Sequence, residues 1–253
     1  MSNRVSDANK GTTRKAVIFD CDGVLVDTER DAHRVGFNLA FKEFGIDAEW
    51  SVDFYAKMLL VAGGKERMTA YFDEYGWPED VVARHGGKEE LILALHKTKT
   101  ALVSDIVKDL PVRPGILRII DEAMAAGVRL GVCTTSNPKF IDAVMDLFGA
   151  ERKAAFEFVH AGDVVSKKKP DPEIYLLALE TLGLPASACM VVEDSRNGLR
   201  ASHGAGIATI ITTSTYTAEE DFSEAVKVVP ELGDDPVLVT LEDLNARNAA
   251  AAA

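Results

Sequence analysis

The 253-residue sequence predicts an α/β fold, a mostly parallel sheet with helices on both faces and a helical domain inserted after the first strand. Two observations predict it. Short, near-continuous apolar runs alternate with segments of helical periodicity, as in a sheet whose strands are buried on both sides. From about Thr28 to Lys108 helical patterns continue but no strand pattern interrupts them.

The elements follow in order. Ala16–Phe19, Val128–Cys133, Phe156–His160 and Cys189–Val192 read as buried strands, and Ile207–Ile211, after Gly206, as a fifth. Helices are predicted over Ile116–Ala126, Lys139–Phe148, Glu173–Leu182 and Arg196–His203. Pro114-Gly115 opens the first of these, Gly127 closes it, and Gly183 ends a later one ahead of Pro185. The insertion contributes helical stretches over Glu29–Phe44, Val52–Leu60, Lys65–Tyr75 and Lys88–Leu110. Gly45, Gly63-Gly64, Gly76–Pro78 and Gly86-Gly87 punctuate them. The sheet domain is therefore expected over 1–27 and 110–253, and the inserted domain over 28–109. The tail Asn248–Ala253 has no packing logic and is expected to fray.

Composition bounds the partners. The chain is 47% hydrophobic and 27% charged, an ordinary globular balance, with a formal net charge of −12. That charge repels nucleic acid and anionic membranes, so neither is an expected partner, and positive contacts to an anionic substrate must be local. No apolar run approaches the roughly 20 residues of a membrane helix. Met1–Lys15 lacks an apolar signal core, so the chain is read as cytoplasmic or as relieved of its targeting segment. Cys21, Cys133 and Cys189 form no disulfide or metal pattern and read as buried thiols in a reducing compartment. No exposed apolar pattern asks for an obligate dimer, and a monomer is expected.

In an open parallel sheet, ligands bind beyond the carboxyl ends of the strands. After the first strand come Asp20, Cys21, Asp22 and Gly23. Two carboxylates at i and i+2 can divide labour, one attacking phosphorus and the other handling protons. After the second come Thr134, Thr135 and Ser136, whose hydroxyls and amides suit phosphate oxygens. Lys167-Lys168-Lys169-Pro170 follows the third, and Glu193-Asp194-Ser195 the fourth. Paired acids at a strand end suit a hard divalent cation, typically Mg²⁺. Singly, each pattern has a plain reading: a solvated turn, a solvated lysine face, a helix N-cap at Ser195. It is their joint occurrence, in this order, that points to phosphoryl chemistry.

The order acid pair, hydroxyl, lysine, acid pair resembles the haloacid dehalogenase superfamily over essentially the whole chain. Its four motifs read here as Asp20-Cys21-Asp22-Gly23, Thr134, Lys169-Pro170 and Glu193-Asp194-Ser195. The resemblance implies a Rossmann-like core, a helical cap closing over small substrates, and a catalytic Mg²⁺. Asp20 would form an aspartyl-phosphate and Asp22 would act as general acid/base. Thr134 would bind the phosphoryl group, and Lys169 would hold it in register with the nucleophile. Asp194 would ligate the metal with Asp20 and the main-chain carbonyl of Asp22, with Glu193 as a supporting ligand. Val24 in place of the common threonine, and Asn137-Pro138 after the second motif, depart from the pattern.

Asp20–Arg34, Gly63–Tyr71, Ala161–Tyr175 and Val191–Gly198 are similar to the CbbY-like branch, most of all to its plant and green-algal chloroplast members. That branch is in turn similar to β-phosphoglucomutase. The implied activity is removal of the C1 phosphate of xylulose-1,5-bisphosphate, an inhibitory by-product of carbon fixation, in the chloroplast stroma. A bisphosphate needs a second basic site, for which Gly63-Gly64-Lys65-Glu66-Arg67 is the candidate, with Glu29 on substrate hydroxyls and Lys168 supplementing Lys169. Thr135 and Ser136 complete the expected substrate contacts. His33, Lys167, Tyr175, Trp50 and Trp77 read as packing or solvated residues. The motifs do not separate a phosphatase, selective or promiscuous, from a sugar-phosphate mutase, since all share the first half-reaction. The family likeness favours hydrolysis. A pure binding protein has no use for Asp22 beside Asp20.

Overall fold

The computed structural model describes residues 14–61 and 64–245. Gly63 and the tail Asn248–Ala253 lie outside the described residues. The chain forms two compact units, one from the residues up to Val26 together with those from Val112 onward, the other from Asp27–Pro111.

The first unit is a six-stranded parallel sheet in the order β3-β2-β1-β4-β5-β6. Its strands are β1 (Ala16–Phe19), β2 (Arg129–Thr134), β3 (Phe156–Ala161), β4 (Cys189–Glu193), β5 (Ala208–Thr212) and β6 (Lys227–Val229). The central β1 and β4 are buried at every position, which is why they read as unbroken apolar runs. The sixth strand is not predicted. It has three residues at the sheet edge, none of them buried, and so carries no apolar run.

Register prepares the site. β1 pairs Phe19 with Val132 on one side and with Val192 on the other. The next residues, Asp20 just past β1 and Cys133 and Glu193 within their strands, therefore lie at one level at the carboxyl edge of the sheet, on strands roughly 4.8 Å apart.

The second unit is helical. A π-helical turn, Glu29–His33, leads into α1 (Arg34–Glu43), followed by α2 (Val52–Met58), α3 (Gly64–Tyr75), α4 (Glu79–His85) and α5 (Lys88–Ile106). Two corrections follow. The stretch Glu29–Phe44 opens with a wider turn rather than running as one α-helix, and α5 gives way to a 3₁₀ turn at Val107–Asp109. The short α4, between Pro78 and the left-handed Gly86, is not predicted. The core of this unit is aromatic. Trp50 lies 4.8 Å from Phe37 and 5.1 Å from Phe41 between ring centroids. Asn38 fixes the Trp50 backbone, accepting from its N–H at 2.8 Å and donating to its carbonyl at 3.0 Å.

The rest of the first unit contains α6 (Ile116–Ala126), α7 (Pro138–Asp146), α8 (Ala150–Ala154), α9 (Glu173–Leu182), α10 (Arg196–Gly204) and α11 (Leu241–Asn245). Among the described residues no helix is long and apolar enough to cross a membrane.

Candidate active site

Asp20 sits directly after β1, 7% exposed, its amide donating to the carbonyl of Val192 at 3.0 Å. A tight turn follows: the amide of Leu25 bonds the carbonyl of Cys21 at 2.9 Å, and that of Gly23 bonds Val26 at 2.8 Å. Gly23 has a φ of +79°, and a Cβ there would lie 2.0 Å from Oδ2 of Asp194. The absence of a side chain at Gly23 thus lets the β1 turn close on the β4 terminus.

Lys169 enters this cluster from the turn before α9. Its ammonium donates to Asp20 Oδ1 at 2.6 Å, to the Cys133 carbonyl at 2.8 Å and to Glu193 Oε1 at 2.6 Å. The Tyr175 hydroxyl also donates to Glu193 Oε1, at 2.8 Å, and the Lys169 ammonium lies 5.0 Å from the centre of the tyrosine ring. Glu193 Oε2 accepts the amide of Asp194 at 3.0 Å. Both oxygens of Glu193 are thus engaged in holding the protein together. Gly198 makes room for that carboxylate, since a Cβ on it would fall 1.9 Å from Glu193 Cδ. Ser195 caps α10, accepting from the Gly198 amide at 3.2 Å.

Asp194 is buried, and Ser214, in the loop after β5, lies beside it: a Cβ on Gly23 would fall 3.1 Å from Ser214 Cβ as well as 2.0 Å from Asp194 Oδ2. The Ser136 hydroxyl donates to Asp22 Oδ2. Thr134, at the buried end of β2, accepts the Ser136 amide at 3.0 Å, which orients its own hydroxyl hydrogen elsewhere. Thr135 is exposed.

The electrostatics are those of crowded carboxylates around one cation. Burial, with Glu193 and Asp22 nearby, pushes Asp20 up to about 8 despite the opposing Lys169. Burial and the neighbouring carboxylates of Glu193 and Asp20 drive Asp194 well above the usual range. Burial acts to lower Lys169, but Asp20 and Glu193 outweigh it and hold the ammonium charged. Ligand atoms of Asp20, Glu193 and Asp194 lie within 4.8 Å of one another. This hard oxygen set, short of positive charge, fits a divalent cation. With Glu193 occupied by Lys169, Tyr175 and a main-chain amide, Asp20 and Asp194 are the carboxylates suited to ligate it.

The other expected residues divide. Lys168 is half exposed and pairs with Asp163 at 2.8 Å. Lys167 is exposed, 3.8 Å from Asp171. In the helical unit, Gly64 begins α3 and Lys65 is exposed, on the rim of a cavity of about 690 Å³ also lined by Trp77 and Lys88. Arg67 is 8% exposed, donating from Nε to the carbonyls of Met58 at 2.9 Å and Val61 at 3.3 Å, and from Nη1 to the Tyr55 hydroxyl at 2.6 Å. That hydroxyl donates in turn to Glu29 at 2.7 Å. Lys65 and Arg67, two apart on the helix, point roughly 200° apart, one outward and one into the aromatic core. His33 faces the buried Lys99, Nδ1 to Nζ at 2.9 Å.

Tyr175, Ser214, Arg113 and Tyr55 are residues that the sequence reading misses. A tyrosine on an apolar helix face reads as core, as Tyr175 and Tyr55 do. Ser214 follows the fifth strand, where the same strand-end rule would have found it.

A model of the haloacid dehalogenase-like hydrolase family matches residues 14–206. A CBBY-like protein of Arabidopsis thaliana is 50% identical over 228 residues, 89% of this chain and 71% of that one. The plasmid-borne CbbY of Cupriavidus necator is 44% identical over 223 residues, 87% of this chain and 86% of the other. A crystal structure of a CbbY variant from Rhodobacter sphaeroides in complex with xylulose-1,5-bisphosphate is similar at a TM-score of 0.74 and 34% identity, over 92% of this chain and 100% of that one. The family match, the parallel sheet and the similar relatives lead to one conclusion: the chain belongs to the haloacid dehalogenase-like hydrolases and is a CbbY-like phosphatase.

Proposed function

We propose that this phosphatase removes the C1 phosphate of xylulose-1,5-bisphosphate, leaving xylulose 5-phosphate, with Mg²⁺ as cofactor and a phosphoaspartate on Asp20 as intermediate. One observation carries the chemistry: the buried Asp20 carboxylate has one oxygen bonded to Lys169, beside the Asp194 carboxylate. The bisphosphate bound to the Rhodobacter sphaeroides relative supports the substrate.

In this reading Asp20 attacks phosphorus and the bond to the sugar oxygen breaks. Asp22 protonates that leaving oxygen, then takes a proton from water as the water attacks the phosphoaspartate and releases inorganic phosphate. Thr134 donates to a phosphoryl oxygen. Lys169 balances charge on the nucleophile and the transferring group. Asp20, Asp194 and the main-chain carbonyl of Asp22 would hold Mg²⁺, whose charge screens the repulsion between carboxylate and phosphate. Ser136 keeps Asp22 oriented. Glu29 and Arg67, joined through Tyr55, are assigned to the rest of the sugar bisphosphate. Kinship to a plant protein supports residence in the chloroplast stroma.

The test is phosphate release with Mg²⁺ from xylulose-1,5-bisphosphate, ribulose-1,5-bisphosphate, fructose-1,6-bisphosphate and β-glucose-1-phosphate, with Asp20→Asn as control. Preference for the first by orders of magnitude is expected. Comparable rates on all four, or glucose-6-phosphate formed from β-glucose-1-phosphate, would overturn the substrate assignment. Turnover by Asp20→Asn would overturn the covalent one.

A further inference from the structure

Arg113 stands where the chain re-enters the sheet unit. Its Nη1 donates to the carbonyl of Gly23, in the turn that carries Asp20 and Asp22, and to that of Thr212 at 3.2 Å. Its Nη2 donates to Thr213 at 2.8 Å and to Pro230 at 2.6 Å. Its own amide donates to the carbonyl of Leu25 at 2.9 Å. One guanidinium thus ties the β1 turn to the loop leaving β5. That loop carries Ser214, which lies beside Asp194 and whose hydroxyl acts to lower the Asp194 carboxyl. Ser214 is itself fixed, its amide donating to Thr217 Oγ1 at 2.9 Å. The two segments also meet directly: a Cβ on Gly23 would lie 2.0 Å from Asp194 Oδ2 and 3.1 Å from Ser214 Cβ.

We propose that Arg113 and Ser214 are positioning residues that together set the spacing of Asp20 and Asp194 for a divalent cation, Arg113 by locking the two loops and Ser214 by orienting the Asp194 carboxylate. This rests on the reading of Asp20 and Asp194 as the metal site. A planar fork with five donors can serve four carbonyls spread over several segments; a lysine ammonium has three donors radiating from one point and cannot span them all. Groups that orient metal ligands typically change metal affinity 10–100-fold when removed.

The experiment titrates metal-free protein with Mg²⁺ by calorimetry and measures the rise in Tm on adding Mg²⁺, for wild type, Asp194→Ala, Arg113→Lys and Ser214→Ala. Wild type that binds no Mg²⁺, or Asp194→Ala that binds as wild type does, overturns the metal reading itself. With that reading intact, about tenfold weaker binding is expected in both Arg113→Lys and Ser214→Ala, with a smaller Mg²⁺-induced rise in Tm. A merely structural role would lower Tm equally with and without the metal. Wild-type Mg²⁺ affinity in either variant overturns the positioning role. If Arg113→Lys fails to fold, Ser214→Ala decides: wild-type affinity overturns the proposal and weakened affinity supports it.

Discussion

Lys169 Nζ lies 2.6 Å from Oδ1 of Asp20, a buried ammonium bonded to one oxygen of the proposed nucleophile. The contact leaves the other carboxylate oxygen to attack. It also places the Lys169 ammonium within a buried group of carboxylates, bonded to Asp20 and Glu193.

Replacing Lys169 by Met is expected to lower kcat at least a hundredfold, because the charge on the transferring phosphoryl loses its preorganised counter-charge. It leaves Asp20 and Glu193 buried without their cation, a change that typically costs about 3–5 kcal/mol. Thermal unfolding and single-turnover rates check both. A stable Lys169→Met enzyme with near-normal kcat would refute the role.

The metal-free protein should lose stability as pH rises from 7 to 8. Asp20, pushed up to about 8, and Asp194, also raised, keep protons in the folded state that the unfolded chain releases near 4. The folded state binds more protons, so unfolding free energy falls with pH, by about 1.4 kcal/mol per proton per pH unit. The stabilisation is complete below the unfolded pKa and disappears above the folded one. Above pH 7 the histidines lowered by burial, His96 and His160, are neutral in both states and do not oppose it. Chelated protein melted at pH 7 and 8 gives the slope. Asp20→Asn should flatten it, and a rising Tm would contradict it.

Gly198→Ala should destabilise the protein by about 1–3 kcal/mol, the usual cost of overpacking. The added methyl would overlap Glu193, whose position Lys169 and Tyr175 already determine. Displacing Glu193 also displaces Lys169, so kcat should fall with stability. A variant with wild-type melting would show that Glu193 has room to move.

Arg67→Ala should cost stability, because the carbonyls of Met58 and Val61 lose a buried donor. If Arg67 also serves the second phosphate, kcat/KM for the bisphosphate should fall on the order of tenfold more than for a monophosphate, the worth of a charged hydrogen bond. Equal losses would leave Arg67 a structural residue.

The fold was legible where burial is complete. β1 and β4 are apolar at every strand position save Glu193, and the glycines flanking α6 and α9 mark where helices stop. β6 was illegible because an edge strand with no buried position leaves no apolar run. Glu193, Asp194 and Ser195 look alike as three polar residues after a strand. The structure divides them into a clamp on Lys169, a buried carboxylate and a helix cap.

Sequence alone determined the parallel α/β class, the insertion after the first strand, and the polar residues that end each strand, because these follow from local periodicity and residue chemistry. Tertiary structure alone decided which lysine of the Lys167-Lys168-Lys169 run is buried, that Arg67 turns inward while Lys65 faces water, and that Tyr175, Ser214 and Arg113 join the site. Such choices depend on strand register and on contacts between segments far apart in the chain, and no short window of sequence contains them.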